Sequence, residues 1–377
     1  MRIGFSASVW VQGIERNHLD GIGVYSKNLW QNLSGNQECD LHALRFGACD
    51  APLSQAPSPL TCVPIRFNRQ VALSIVTGSP FNQLGSYERS VDVFHATDHH
   101  IPKLRSVPIV ATLMDAIPFV HPEWVSQKLR FFKNFAFKRS AHWAERIITI
   151  SEYSKHDISE HFSIPLDRID SIPLGVDDAF YARMSAENID EALSRYQVPR
   201  GSFVFVGTLQ PRKNVRRIIQ AHRQLPLMIR DAHPLLIIGK FGWGDPGIVE
   251  DLHAMEQTGQ GRWLDDVSNS DLHAFLQSAA ALVYPSLYEG FGLPILEGFA
   301  SGLPVISSNT TSIPEVAGDA ALLVDPESID EIADAMQRIV EDRALADSLI
   351  ARGAERVKEF TWVKCAEQTM AVYKQLG

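Results

Sequence analysis

The sequence predicts an α/β protein built from two doubly wound, parallel-sheet domains. Its 377 residues suit two domains at roughly 100 to 200 residues each. Short runs rich in Ile and Val recur along the chain, and amphipathic stretches such as Ile329 to Val340 lie between them. Runs apolar on both faces, alternating with helical patterns, mark parallel strands covered by helices.

In the first half the runs are Arg2 to Phe5, Val91 to His95, Ile109 to Leu113 and Arg146 to Ile150. In the second they are Phe203 to Val206, Leu235 to Ile238, Ala281 to Tyr284, Pro304 to Ser307 and Ala321 to Val324. Pro and Gly punctuate Ile172-Pro173-Leu174-Gly175-Val176-Asp177, which sets the boundary between domains 1–173 and 174–361. A cleft between two such domains is the expected ligand site.

Apolar residues make up 45% and charged residues 21%, which excludes a disordered or fibrous chain. The net charge of −9 argues against nucleic acid as a partner. Through Gly175 there are 17 basic and 16 acidic side chains, and beyond it 18 and 28, so the first domain approaches anions more easily. Cys39, Cys49, Cys62 and Cys365 are far apart without a CxxC pair. The expectation is therefore neither metal site nor disulfide framework, and a reducing cytoplasm. Neither a signal peptide nor a membrane span is expected.

The richest stretch is Tyr284-Pro-Ser-Leu-Tyr-Glu289-Gly-Phe-Gly-Leu-Pro294-Ile-Leu-Glu297-Gly-Phe-Ala-Ser-Gly302. It reads as strand, loop and helix, with Pro294 at the first helical position and Gly302 just past the end. The N–H groups of Phe291, Gly292 and Leu293 would then head a helix whose dipole favours phosphate, and Gly292 allows close approach. Glu289 in the loop and Glu297 in the first turn can accept hydrogen bonds from one polyhydroxyl ligand. Read singly, each is also an ordinary solvated or dipole-complementing glutamate.

In Phe203-Val-Phe-Val-Gly207-Thr-Leu-Gln-Pro-Arg212-Lys213-Asn214 a buried strand runs into Gly207, and Asn214 reads as a helix N-cap. Arg212 and Lys213 then stand at the carboxyl edge of the sheet, where open α/β folds bind ligands. Two cations there can neutralise a diphosphate and stabilise its departure without Mg²⁺. Arg216 and Arg217 read as ordinary helix surface. Asp20-Gly21-Ile-Gly23-Val-Tyr25 opens a helix after the first strand, but Ser26 leaves the dinucleotide fingerprint incomplete.

Together, GTLxPRKN, EGFGLPxLE, GIGVY, ISEYSKHDI with IPLGVD, and the closing FTWVKCAEQTMAVY resemble glycosyltransferase family 4 over nearly the full chain and in order. The resemblance implies the GT-B architecture, two Rossmann-like domains facing a central cleft. The amino-terminal one would hold the acceptor and the carboxyl-terminal one the nucleotide sugar. It further implies that residues 362–377 pack back on the first domain. Arg212 and Lys213 would bind the donor diphosphate, Glu297 the ribose, and Glu289 the sugar. Gly207 and the backbone of Phe291, Gly292 and Leu293 would complete the donor site, with Gly21 and Gly23 beside the diphosphate. Transfer retains anomeric configuration and usually needs no metal or other cofactor.

One departure stands out. Many relatives carry a His-Asp pair after the strand near Ile109 to Leu113, whereas this chain reads Leu113-Met114-Asp115. Asp115 remains a catalytic candidate without that histidine. His95 and Asp98, beside His99 and His100, are candidates for the acceptor, against a structural or solvated role. A metal cluster there is not expected.

From Gln127 to Ala144 the chain has Lys128, Arg130, Lys133, Lys138 and Arg139, no acid, and interleaved phenylalanines. A helix of this kind can lie on an anionic bilayer, or bury its phenylalanines in a core.

These readings converge on a retaining transferase moving a hexose, best mannose from GDP-mannose, with UDP sugars open. The acceptor would be a lipid-linked or polysaccharide glycan at the inner face of the membrane. The alternatives are a GT-B nucleotide-sugar epimerase and a non-catalytic relative that binds sugar or a partner enzyme.

Overall fold

The computed structural model describes every residue except 17–18, 50–54, 125–129 and 245. The described residues gather into two units, Met1–Gly175 with Trp362–Gly377, and Val176–Thr361.

Seven strands build the first unit: β1 (Arg2–Ser6), β2 (Asp40–Phe46), β3 (Leu60–Val63), β4 (Val93–Ala96), β5 (Ile109–Thr112), β6 (Arg146–Thr149) and β7 (Ile169–Ser171). All pair in parallel, in the order β3-β2-β1-β4-β5-β6-β7. Every residue of β4 and β5 is buried, which is why these two read as largely apolar runs. The order reverses between β1 and β4, so the loops after these strands flank a crevice at the carboxyl edge.

Six strands build the second unit: β8 (Phe203–Val206), β9 (Leu235–Ile238), β10 (Gly261–Leu264), β11 (Ala281–Tyr284), β12 (Val305–Ser308) and β13 (Leu322–Val324). They too are parallel, in the order β10-β9-β8-β11-β12-β13. Here the reversal falls between β8 and β11. The Arg212 and Glu289 loops leave these two strands.

Four strands lie outside the predicted runs. β3, β7 and β10 are sheet edges and only partly buried along their length, so they lack the apolar continuity of interior strands. β2 carries His42 and Arg45 inside its run. A helix, Ser8–Glu15, also intervenes between β1 and the glycine-led helix Gly21–Ser34.

The last helix, Trp362–Lys374, belongs to the first unit. Lys374 Nζ donates to Glu38 Oε2 at 2.6 Å, and Tyr373 Oη lies 2.6 Å from His95 Nδ1. No helix among the described residues is long and apolar enough to cross a membrane.

The expectation of no disulfide framework needs correction. Cys49 and Cys62 are joined as a disulfide, with Cα atoms 5.9 Å apart. Cys62 sits in β3 opposite Arg45 of β2, and the chain turns at Gly47 after β2 to bring Cys49 alongside. That proximity comes from strand pairing, which cysteine spacing does not reveal. Cys39 and Cys365 are free.

Candidate active site

β8 is buried through Phe205, and Gly207 follows its last residue with φ +148, its N–H donating to Ile238 O at 2.9 Å. The chain then makes a short turn, Pro211–Lys213. Asn214 takes the N-cap position of helix Val215–Gln224 in a left-handed conformation, φ 61, but its side chain does not cap. Instead Asn214 Nδ2 donates to Pro285 O at 2.9 Å and Pro326 O at 2.6 Å. This corrects the capping expectation: the asparagine ties the Arg212 turn to the loop after β11.

That loop delivers Glu289 to the two cations. Arg212 Nη1 donates to Glu289 Oε2 and Lys213 Nζ to Glu289 Oε1, each at 2.6 Å. Tyr284, the last residue of β11, donates to the same Oε1 at 2.9 Å and accepts from Lys213 Nζ. The Lys213 ammonium also lies 4.7 Å from the Tyr284 ring centroid, a cation–π contact.

The charges follow from these distances. Burial alone would raise the Glu289 carboxyl, but Arg212 and Lys213 bring it down to about 2. Burial lowers the Lys213 ammonium to about 8, against the pull of Glu289. Tyr284 is held neutral, because burial and then Glu289 disfavour its phenolate. Glu297 rises to about 7 through burial and the neighbouring charge of Asp177, opposed by Lys213. At neutral pH the Arg212 and Lys213 cations thus both face the ionised Glu289 carboxylate, and the cations in direct contact outnumber it.

The helix after Glu289 begins one residue earlier than its proline suggests. Leu293 is its first residue and Pro294 its second in Leu293–Ala300. Glu297 therefore stands in the second turn, not the first, and is not a dipole-complementing residue of the amino end. Gly292 caps with φ +113, and a Cβ there would lie 2.9 Å from Ile313 Cδ1. Only glycine fits that backbone and that space. Ser312 Oγ holds the loop from behind, donating to Glu289 O at 2.8 Å and Phe291 O at 3.1 Å. The loops after β9 and β10 are also linked, Lys240 Nζ standing 3.7 Å from Asp266 Oδ1; Asp245, in the first of them, lies outside the described residues.

In the first unit, Asp20 caps helix Gly21–Ser34 and accepts from Gly23 N at 2.8 Å, so that N–H is occupied. Gly21 has open space where a Cβ would stand. Asp115 follows β5 and accepts from Ile117 N at 3.0 Å. Asp98, after β4, is 2% exposed. Its Oδ1 accepts from His100 N at 2.6 Å and pairs with His100 Nδ1 at 2.8 Å, while Oδ2 has no partner among the described residues. Burial would raise this carboxyl, but His100 and His99 bring it to about 2. Asp98, His99 and His100 place one donor atom each within 4.8 Å of one another, with the Asp98 and His100 atoms already bonded together.

His95 does not join this group. It is fully buried, with Nδ1 on Tyr373 Oη at 2.6 Å and Nε2 on Thr112 Oγ1 at 2.7 Å. Burial lowers its imidazole to about 3, so the ring is neutral and both nitrogens are taken by the core. No ring nitrogen is left for an acceptor.

A family model described as "Glycosyl transferases group 1" matches residues 194–356, and one described as "Glycosyltransferase Family 4" matches residues 19–180. O-antigen chain mannosyltransferase B of Escherichia coli is 35% identical over 285 residues, 75% of this chain and 74% of that protein. The chain belongs to glycosyltransferase family 4. Serotype-specific mannosyltransferase WbdA of Escherichia coli is 28% identical over 250 residues, 65% of this chain but 31% of that longer protein. Among solved structures, Anabaena HepE in complex with UDP and glucose has a TM-score of 0.75 at 17% identity, with 100% of both chains covered. The fold is accordingly GT-B, and this family 4 protein is a retaining glycosyltransferase.

Two residues within the quoted strings help to shape the site of this family 4 enzyme although neither was expected to take part in it. Tyr284 bridges Lys213 and Glu289. The available signal was its place: a tyrosine closing a buried strand at the carboxyl edge needs a partner for its hydroxyl. Asp177 raises Glu297 from a position next to the domain boundary. Nothing in the local sequence announces that encounter.

Proposed function

We propose that this enzyme moves a hexose, with retention, from a nucleoside diphosphate sugar to a glycan acceptor in surface-polysaccharide synthesis. The best reading of the donor is GDP-mannose. One observation carries it: Arg212 and Lys213 converge on Glu289 beside the amino end of helix Leu293–Ala300, at the strand-order reversal of the second sheet. The names of the two Escherichia coli relatives support mannose and an O-antigen-type product. HepE, with UDP and glucose, keeps uridine donors within the test.

In this reading the Arg212 guanidinium and Lys213 ammonium hold the donor diphosphate. The Lys213 ammonium has three protons, and Glu289 and Tyr284 take two. The backbone of Phe291, Gly292 and Leu293 meets phosphate and sugar, Gly207 leaves room at the end of β8, Glu289 orients the sugar hydroxyls, and Glu297 receives those of the ribose. Within the first unit, Gly21 and Gly23 are assigned to donor contact, Asp98 to the acceptor, and Asp115 remains a catalytic candidate.

The bond from the anomeric carbon to the diphosphate oxygen breaks as the acceptor oxygen bonds on the same face. The acceptor's proton passes to the departing phosphate oxygen. Positioning and charge stabilisation then do the protein's share, with no dedicated base. The two side-chain cations supply the charge, so the reading asks for no divalent ion. A lipid-borne acceptor would be met at an anionic membrane surface from the cytoplasmic side.

The test pairs a thermal-shift screen of GDP, UDP and their sugars with transfer assays on a lipid-linked acceptor extract. Stabilisation by one nucleoside diphosphate and transfer of its sugar with retained configuration are expected. Interconversion of the donor without acceptor would mark an epimerase. Binding without transfer from any donor would mark a non-catalytic relative, the outcome that Met114 in place of histidine raises.

A further inference from the structure

Five of the eleven large apolar side chains exposed among the described residues lie on two helices of the first unit. Leu73 and Val76 belong to Phe67–Thr77, and Phe131, Phe132 and Phe135 to Arg130–Ala141. The two helices contact one another. Gln127, Lys128 and Leu129, expected in the same basic stretch, lie outside the described residues.

The second helix divides its aromatics. Phe137 packs against the core of the unit, whereas Phe131 is 80% exposed and Phe132 69%. At about 100° per residue, Phe131, Phe132, Phe135 and Arg139 share one face of the helix. Three phenylalanines held in water on one face of a helix, in contact with a helix that exposes Leu73 and Val76, are apolar surface of a kind that ordinary soluble surfaces avoid.

Charge identifies the occupant. Neither helix contains an acid, and from Gln55 to Tyr87 the chain has none. With Arg66, which opens the first helix, the pair carries six cations: Arg66, Arg69, Arg130, Lys133, Lys138 and Arg139. Lys138 is engaged with His161 O and Ser163 Oγ, and Arg130 with Pro122 O. Arg66, Arg69, Lys133 and Arg139 are exposed. A protein of net charge −9 thus gathers cations around exposed aromatics at one place, the combination that suits lipid phosphates over an acyl boundary.

The fold gives this face a direction. Helix Arg130–Ala141 leads from the carboxyl end of β5 back to the amino end of β6, so Phe131 and Phe132 stand toward the carboxyl edge of the sheet. That edge also carries Asp98, His100 and Asp115. Phe67, at the start of the other helix, lies 4.8 Å from the His100 ring.

We propose that this two-helix face rests on an anionic phospholipid bilayer and brings lipid headgroups to the loops after β4 and β5. The proposal rests on the reading that the acceptor is borne on a lipid. Flotation of the full chain with vesicles of phosphatidylcholine, with or without about one third phosphatidylglycerol, tests it at low and high salt. Binding to the anionic vesicles alone, weakening steeply with salt, is expected. Phe131→Ser with Phe135→Ser, and separately Arg69→Gln with Lys133→Gln, should each weaken it about tenfold or more. Both pairs should keep the native thermal transition and its shift by nucleoside diphosphates.

Failure to float, equal flotation with both compositions, or variants that float like the parent overturns the proposal. So does self-association in place of flotation that the same substitutions abolish, which would assign the face to a second copy of the chain. Vesicle binding as expected without any nucleotide response leaves the docking face standing and removes the transferase reading instead.

Discussion

Lys213 Nζ lies 2.6 Å from Glu289 Oε1, and both side chains are buried. A buried pair of this kind is costly to break from one side, because the partner keeps its charge without compensation. Arg212 on the other carboxylate oxygen and Tyr284 between the two partners complete the arrangement. The sugar-side carboxylate and the phosphate-side cations are therefore one electrostatic unit, and a change at any member will be felt by the others.

Arg212→Ala or Lys213→Ala removes a charge-assisted contact of about 1.5 to 3 kcal/mol. Donor kcat/KM should fall roughly ten- to a hundredfold. Steady-state kinetics with varied donor checks this, and wild-type values in either variant would rule out their assignment to the diphosphate.

Tyr284→Phe keeps the ring against Phe205 but deletes the hydroxyl shared by Lys213 and Glu289. A loss of about 1 kcal/mol in stability is expected, together with weaker donor binding, since Lys213 is less well held. Urea unfolding and calorimetric titration with the nucleoside diphosphate measure the two effects separately. Donor affinity unchanged to within twofold would confine Tyr284 to a packing role.

Donor binding should strengthen as pH rises through about 7, the value to which burial and Asp177 bring Glu297, because an ionised carboxylate is the better acceptor for ribose hydroxyls. It should weaken again above about 8 as Lys213 loses its proton. Glu297→Gln should flatten the rising limb. Stability runs the other way for this residue: its folded value lies above the ordinary 4.5, so its contribution is complete below that pH and is lost as pH rises through about 7. Affinity measured between pH 6 and 9 with parent and variant decides it; identical profiles would exclude Glu297 as the titrating group.

Tyr373→Phe leaves His95 Nδ1 buried without its partner, at a cost of about 1 to 3 kcal/mol. The unfolding midpoint should drop while the nucleoside diphosphate affinity stays unchanged, because the pair lies in the core of the first unit. A selective loss of transfer at normal stability would return His95 to the acceptor site.

Much of this was legible in the residues. Interior strands such as Phe203–Val206 and Ala281–Tyr284 are apolar on both faces, and the loops that follow them carry the cations and glutamates in view. Edge strands such as Ile169–Ser171 and Gly261–Leu264 were not, because they are only partly buried and a mixed composition suffices. Asn214 shows the limit of local rules: its residue type and position suit a cap, yet two carbonyls from distant loops outcompete the helix end. Cys49 and Cys62 show it again, since only the β2–β3 pairing brings them together.

By itself the sequence determined the α/β class, the family and which short strings hold the chemistry, because burial pattern, glycine position and charge are properties of neighbours along the chain. Only the tertiary structure decided that Glu289 is clamped by Arg212, Lys213 and Tyr284, that Glu297 titrates near neutrality beside Asp177, and that His95 is consumed by the core. Those outcomes depend on distances between residues far apart in sequence and on the loss of water around them, and both quantities exist only once the sheets have formed.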